Sequence, residues 1–68
     1  MADGLDNRLY DLRTRKGLTQ GELAERVGVS RKTINTVENG VFTPSTTLAL
    51  KLARVLETSV EKIFQLRD

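Results

Sequence analysis

The segment SRKTINTVEN, from Ser30 to Asn39, concentrates hydrogen-bonding side chains in a chain of 68 residues. Arginine and lysine donate to the guanine edge, asparagine pairs with the adenine edge, and serine and threonine suit hydroxyl contacts or the thymine methyl. On a helix over this segment Arg31, Lys32, Asn35 and Thr36 project outward, with Ser30 and Thr33 at the flanks. The pattern favours direct reading of a nucleic acid, although the same side chains also suit a solvated helix face.

Basic residues dominate the region around this segment. The whole chain holds 11 Lys and Arg and 9 Asp and Glu, a formal net charge of only +2. Between Arg31 and Leu56 the only carboxylate is Glu38, so four basic residues against one acid leave that region at +3. The other acids lie before or after it. An uneven charge of this kind supplies the basic face that a polyanion requires.

The residue types that are missing exclude several functions. The chain has no cysteine and no histidine, so we expect no disulfide framework, no zinc site and no cofactor. It has no carboxylate pair in a pocket-forming context and no glycine-rich phosphate loop after a strand. We therefore predict that it is not an enzyme. No small-molecule ligand is indicated.

Hydropathy gives no sign of a membrane protein. No stretch reaches the roughly 18 apolar residues that span a bilayer. The opening segment, MADGLDNRLY, has two acids, a glycine and no apolar run, which is not typical of a signal peptide. We expect a soluble, cytoplasmic protein without a membrane partner.

Apolar residues recur with helical spacing along the chain. Leu5, Leu9 and Leu12, for example, follow the i, i+4, i+7 pattern of one helix face. The spacing predicts helices at about 6–15, 20–26, 31–39 and 46–57, and a last one that contains Val60, Ile63 and Phe64. We detect no alternation typical of a strand. The sequence thus predicts an all-α, compact bundle of five short helices in one domain at 5–66, after a flexible N-terminal segment at 1–4.

Capping residues mark the ends of these helices. The sequence TQGE, which begins at Thr19, is a capping box at the start of the second helix. Ser30 and Ser45 are the expected N-caps of the third and fourth helices. Gly17 and Gly40 stand where a left-handed residue ends the first and third helices.

The sequence RVGVS joins the second and third helices through about three residues, the length of a helix-turn-helix connection. Gly28 supplies the positive φ that such a corner needs. Val27 and Val29 are expected to pack beneath it. Ile34 and Val37, three residues apart, attach the third helix to the core.

Several linked motifs resemble one known family. The run LTQGELAERVGVSRKTINTVENG, followed by PS and by LALKLARVLETSVEKIF, is similar to the Cro/C1-type (XRE-type) helix-turn-helix repressors over about 9–64. The resemblance implies a lambda-repressor-like fold that binds double-stranded DNA as a transcriptional regulator. It also implies a homodimer on an inverted repeat, with half-sites about 34–36 Å apart.

The resemblance also implies roles for individual residues. The positions at which the family's recognition helix contacts base edges coincide with Ser30, Arg31, Lys32 and Thr36, and Asn35 lies at the boundary between base and phosphate. The positions expected to contact phosphates are Thr19, Gln20, Thr33 and Asn39. Arg13 and Glu38 fall where family members hold an internal ion pair, which braces the third helix and does not read DNA.

Two positions depart from the family pattern. Val41 stands where relatives carry a lysine or arginine, so one expected phosphate contact is missing. Gly21 lies inside the second helix, where glycine costs up to about 1 kcal/mol relative to alanine.

The dimer surface and the function each leave an alternative open. Leu66 with part of Phe64, or Phe42, is a candidate dimer contact, but Leu66 also fits a frayed C-terminus. The alternative function is an antitoxin-like interaction module that binds a partner protein and its own promoter.

Overall fold

Five helices and two short strands form the protein in our computed structural model, which describes residues 4–67. The helices are α1 (Leu9–Arg15), α2 (Gln20–Val27), α3 (Arg31–Glu38), α4 (Thr46–Val55) and α5 (Val60–Ile63). The strands are β1 (Leu5–Asn7) and β2 (Phe64–Leu66). No helix within residues 4–67 is long and apolar enough to cross a membrane. The prediction of five short helices is confirmed.

The helices begin where the sequence provides capping side chains. The Thr19 hydroxyl accepts from Glu22 N–H (3.0 Å), and Glu22 Oε1 accepts from Thr19 N–H (2.8 Å), which completes the predicted capping box. The bond that the Thr19 N–H donates to the Glu22 carboxylate is the main reason that the pKa of Glu22 lies below its ordinary value. The hydroxyls of Ser30 and Ser45 accept from the N–H groups three residues further on, as predicted.

The core is apolar except for one arginine. Its hydrophobic side chains come from all five helices and their connections: Leu9, Leu18, Leu23, Ala24, Val27, Ile34, Val37, Leu48, Ala49, Leu52, Ala53, Leu56 and Ile63. Among residues 4–67, Arg13 is the one charged residue that is buried as a whole, and the side chain of Glu38 is buried against it. Val29 is half-buried against this core, beneath the corner between α2 and α3.

The two strands correct the all-α prediction. β1 and β2 pair antiparallel, with Leu5 opposite Leu66 and Asn7 opposite Phe64. The first helix was predicted from residue 6, but Asp6 lies in β1 and α1 begins at Leu9. Likewise Phe64 lies in β2 rather than on a face of the last helix. Three-residue strands are too short for a period of two to stand out, so the sequence alone suggested only helix.

Hydrogen bonds at Asn7 and Arg8 explain why α1 begins at Leu9 and not at residue 6. The Asn7 carbonyl oxygen (Oδ1) accepts from Leu9 N–H (3.1 Å), and Arg8 N–H donates to the carbonyl of Ile63 (2.8 Å). The backbone before Leu9 is therefore already engaged with the far end of the chain. Of the predicted flexible segment, 1–4, only Gly4 lies inside the described residues; its carbonyl accepts from Arg67 N–H (3.2 Å).

The end of α4 departs from the prediction in an informative way. The helix was expected to reach residue 57, but it ends at Val55, and Glu57 has a φ of +56°. Thr58 N–H donates to the Ala53 carbonyl (2.9 Å) and Glu57 N–H to the Arg54 carbonyl (3.2 Å). These two bonds define a Schellman motif, in which glycine normally occupies the left-handed position. Here Glu57 occupies it and forms an exposed ion pair with Lys16.

Replacing Glu57 with glycine is expected to raise Tm by about 3–6 °C, because a side chain in the left-handed region carries a steric cost that glycine avoids. Thermal unfolding followed by circular dichroism measures the change. Glu57→Gln is the matched control: it removes the charge and keeps the side chain, so its Tm should stay close to that of the unmodified protein. Equal Tm values for the two variants would show that the backbone conformation of Glu57 is not costly.

Candidate nucleic-acid interface

The corner between α2 and α3 fixes which side of α3 faces outward. Gly28 has a φ of +77° and turns the chain at the end of α2, as predicted. Ile34 and Val37 are buried completely or nearly so. Because these two residues hold one side of α3 in the core, its opposite side is left to solvent.

The predicted base-contacting residues lie on that outward side. Ser30, Arg31, Lys32 and Asn35 are exposed, and Thr36 is half-buried. Within residues 4–67, the side chains of Arg31 and Lys32 form no hydrogen bond or ion pair. Their donors are therefore available to acceptors on a partner molecule.

The hydroxyl groups on α3 are engaged with the helix itself. The hydroxyls of Ser30 and Thr33 bond each other (2.9 Å), and Ser30 also accepts from Thr33 N–H (3.1 Å). The Thr36 hydroxyl donates to the carbonyl of Thr33 (3.0 Å). The polar side chains on this side that remain most available to a partner are therefore those of Arg31, Lys32 and Asn35.

Asn35 and Asn39 are coupled to each other. The Asn39 amide Nδ2 donates to Asn35 Oδ1 (3.2 Å), and both residues are exposed. The contact joins a predicted base-contacting residue to a predicted phosphate-contacting one. An amide oxygen has a second lone pair, so Asn35 Oδ1 retains the capacity to accept from an adenine N6 while its own N–H group donates.

The start of α2 presents free backbone donors. Thr19 is exposed at its N-cap, and the N–H groups of Gln20 and Gly21 have no acceptor within residues 4–67. The first N–H groups of a helix and its dipole together favour an anion such as phosphate. This geometry agrees with the role predicted for Thr19 and Gln20, which stays a prediction.

A buried polar cluster anchors both helices of the corner. Arg13 Nε lies 2.5 Å from Glu38 Oε2, and the two side chains are only 9% and 4% exposed. Arg13 also donates to the Leu18 carbonyl (2.8 Å), and its guanidinium lies 5.2 Å from the centre of the Tyr10 ring. The structure thus brings together the two residues that the sequence assigned to an internal ion pair.

Two further contacts to α3 were missed by the sequence analysis. Gln20 Nε2 donates to Glu38 Oε1 (3.0 Å), so a predicted phosphate-contacting side chain is half-buried and tied to the ion pair. Asn7 Nδ2 donates to the carbonyl of Val37 (3.1 Å) near the end of α3. Neither contact has a spacing signal, because the partners lie 18 and 30 residues apart.

Comparison with known proteins identifies the family. A family model described as helix-turn-helix matches residues 9–63. An HTH-type transcriptional regulator of Archaeoglobus fulgidus is 44% identical over 61 residues, which cover 90% of this chain and 87% of that protein. The chain belongs to the Cro/C1-type helix-turn-helix family of DNA-binding transcriptional regulators.

Solved structures agree with this family assignment. The restriction-modification controller protein C.AhdI of Aeromonas hydrophila superposes with a TM-score of 0.74 at 39% identity, over 79% of this chain and 82% of that one. SinR, a master regulator for biofilm formation from Bacillus subtilis solved in complex with DNA, gives a TM-score of 0.74 at 33% identity. That match covers 79% of this chain and 87% of the SinR chain.

In this helix-turn-helix protein the Arg13–Glu38 pair also determines which charges of α3 are exposed to solvent. Glu38 is the only carboxylate between Arg31 and Leu56, and Arg13 compensates its charge within the buried cluster. The exposed charges of α3 are therefore those of Arg31 and Lys32 alone.

Glu38→Ala is expected to lower the free energy of unfolding by about 3–5 kcal/mol, because it leaves Arg13 buried without its partner. Urea unfolding measures this change. Asp6→Ala is the matched control, since the Asp6–Arg67 pair is more than half exposed on both sides and such pairs contribute about 0–1 kcal/mol.

A similar small loss for both variants would contradict the bracing role of Glu38. If Glu38→Ala is unfolded without denaturant, Glu38→Gln provides the measurable case, because glutamine keeps an acceptor for Arg13 and should cost less.

Proposed function

We propose that this protein is a repressor that recognises a specific sequence in double-stranded DNA and binds it as a homodimer. The observation that carries the proposal is the division of α3 into two sides. Ile34 and Val37 are sealed in the core, while Arg31, Lys32 and Asn35 stand exposed beside a sharp corner. A helix of this size fits the major groove of B-DNA, which is about 12 Å wide.

In the proposed complex, α3 lies in the major groove and α2 crosses the sugar–phosphate backbone. Ser30, Arg31, Lys32, Asn35 and Thr36 then face base edges. The phosphates on either side are held by the start of α2, with Thr19 and Gln20, and by Thr33 and Asn39. Bound protein of this kind represses by occluding a promoter.

Two copies are needed to read a useful length of DNA. One α3 covers about half a helical turn, so the proposed operator is an inverted repeat with half-sites about 34–36 Å apart. The proposed dimer surface is an apolar cleft of about 670 Å³ between α4, α5 and β1. Phe64 lines this cleft, and Leu50, 58% exposed, stands at it.

Of the residues predicted for the dimer, Phe64 lines this cleft. Leu66 is exposed but does not line it, and Phe42 lies beside α3 instead. Leu50 was not predicted, because a single exposed leucine on a helix is ordinary. A two-fold contact through this cleft uses the same surface on both copies, with Leu50 of each filling the cleft of the other.

The same cleft supports a second candidate, the antitoxin-like module that binds a partner protein. An apolar cleft of this kind also suits a helix or strand of another protein. The tests below separate the two candidates, because only the homodimer requires this surface for binding to an inverted repeat.

The decisive experiment is selection of binding sites from a random duplex pool at two salt concentrations. We expect enrichment of an inverted repeat whose half-sites are one helical turn apart. A single short enriched site would retain DNA binding and remove the dimer. Weak, salt-sensitive retention without enrichment would refute sequence-specific binding and favour the partner-protein candidate.

Arg31→Ala is expected to weaken binding to the selected site by about 1–3 kcal/mol and to relax preference at one base pair. Titration against the selected site and an unrelated duplex measures both effects. Gln20→Ala, in contrast, should weaken binding to the two duplexes equally, because a phosphate contact carries no sequence information. If Gln20→Ala changes the preferred sequence, Gln20 contacts a base. If Arg31→Ala weakens binding to both duplexes equally, Arg31 contacts a phosphate.

Leu50→Asp is expected to convert the dimer to a monomer, because each copy would place a carboxylate in the apolar cleft of the other. Analytical ultracentrifugation with and without the selected duplex measures the change. Leu66→Asp is the control, since Leu66 is also exposed but lies outside the cleft. If Leu66→Asp dissociates the dimer and Leu50→Asp does not, the dimer surface lies at the C-terminal segment and not at the cleft.

A further inference from the structure

The loop after α3 presents two large apolar side chains beside the proposed base-reading surface. Val41 is 78% exposed and Phe42 48% exposed. With α3 they enclose a shallow cleft of about 340 Å³, which we call the loop cleft. Its α3 side is formed by Ser30, Lys32, Thr33 and Thr36. The loop cleft is thus continuous with the surface proposed to face the bases.

The α3 side of the loop cleft is less polar than its residue types suggest. The Thr36 hydroxyl donates to the Thr33 carbonyl (3.0 Å). The hydroxyls of Thr33 and Ser30 bond each other (2.9 Å). Two of the three hydroxyl protons are therefore engaged within α3. The methyl groups of the threonines are the part of these side chains that suits an apolar contact alongside Val41 and Phe42.

The loop is held in place by its backbone. The N–H groups of Val41 and Phe42 both donate to the carbonyl of Thr36 (2.9 and 3.2 Å). Gly40 N–H donates to the Val37 carbonyl (3.1 Å). The loop cleft is therefore formed before any partner binds, which removes part of the ordering cost of binding.

The chemistry of DNA limits what an apolar cleft at this place can bind. In the major groove the bases present hydrogen-bonding groups and one apolar group, the C5-methyl of thymine. A valine gains nothing from a phosphate, whereas burying a methyl group is favourable. Lys32, which also lines the loop cleft, places a hydrogen-bond donor for a base edge next to it. The occupant that fits is a methyl-bearing pyrimidine.

We propose that Val41, with Phe42 and the methyl group of Thr36, selects thymine at one position of each half-site by contact with its C5-methyl group. The proposal rests on the proposed function and adds a specificity-determining residue outside α3.

The test uses duplexes in which deoxyuridine replaces thymine, one position at a time, in one half-site of the selected sequence. Uracil lacks only the methyl group and keeps the same base pairing. For the unmodified protein, we expect replacement at one position near the loop cleft to weaken binding about threefold to fivefold, the effect of losing one buried methyl contact.

Val41→Ser removes the apolar side chain and should abolish this particular sensitivity, so that thymine and deoxyuridine duplexes bind the variant equally. Val41→Thr, which keeps the shape and one methyl group, should retain part of it. Leu66→Ser is the matched control, because Leu66 is 79% exposed and Val41 78%. Its deoxyuridine profile should equal that of the unmodified protein, whatever its overall affinity.

Each contrary result has a distinct meaning. Selection of a site whose binding is insensitive to deoxyuridine everywhere would overturn the proposal and leave the proposed function standing. An unchanged profile in Val41→Ser would also overturn it, since another residue would then contact the methyl group. Failure of the unmodified protein to select any sequence would overturn the proposed function itself. Thermal melts of each variant establish that the fold is retained.

Discussion

The arrangement of the helices depends on the hydrogen bonds that the Glu38 carboxylate accepts. It accepts from Arg13 on α1 and from Gln20 at the start of α2, while its own backbone ends α3. Since it is nearly inaccessible to solvent, the cost of burying its charge is met only when all three helices are correctly placed. One side chain thereby fixes the surface of α3 relative to the first turn of α2, the two parts proposed to contact bases and phosphates.

Local signals in the sequence predicted the helical part of the fold well. Thr19, Ser30 and Ser45 cap the helices that they were expected to cap, because capping depends on residues only three positions apart. The strands could not be predicted in this way. Leu5 fits a helical period with Leu9 and Leu12, yet it pairs with Leu66 at the other end of the chain, and no local pattern reports a partner that distant.

The candidate interface also combines features that the local sequence pattern predicts with features that it does not. The exposed donors of Arg31 and Lys32 follow from the helical period of α3 and the burial of Ile34. The state of the hydroxyl groups does not, because whether Thr36 donates to a base or to its own helix depends on a rotamer that a sequence does not specify. The sequence likewise gives no sign of the bond that the Gln20 side-chain amide donates to Glu38 in the folded chain.

The pairing of β1 with β2 has a consequence for the order in which the structure opens. It joins residues 5 and 66 and so closes one of the longest loops within residues 4–67, and closing a loop costs more chain entropy as its length grows. Contacts between neighbouring helices are cheaper to form and are retained when the strands separate. Local unfolding should therefore start at the joined ends. Because Asn7 lies there and bonds the Val37 carbonyl, the last turn of α3 is the part of the proposed DNA-reading helix that this opening affects first.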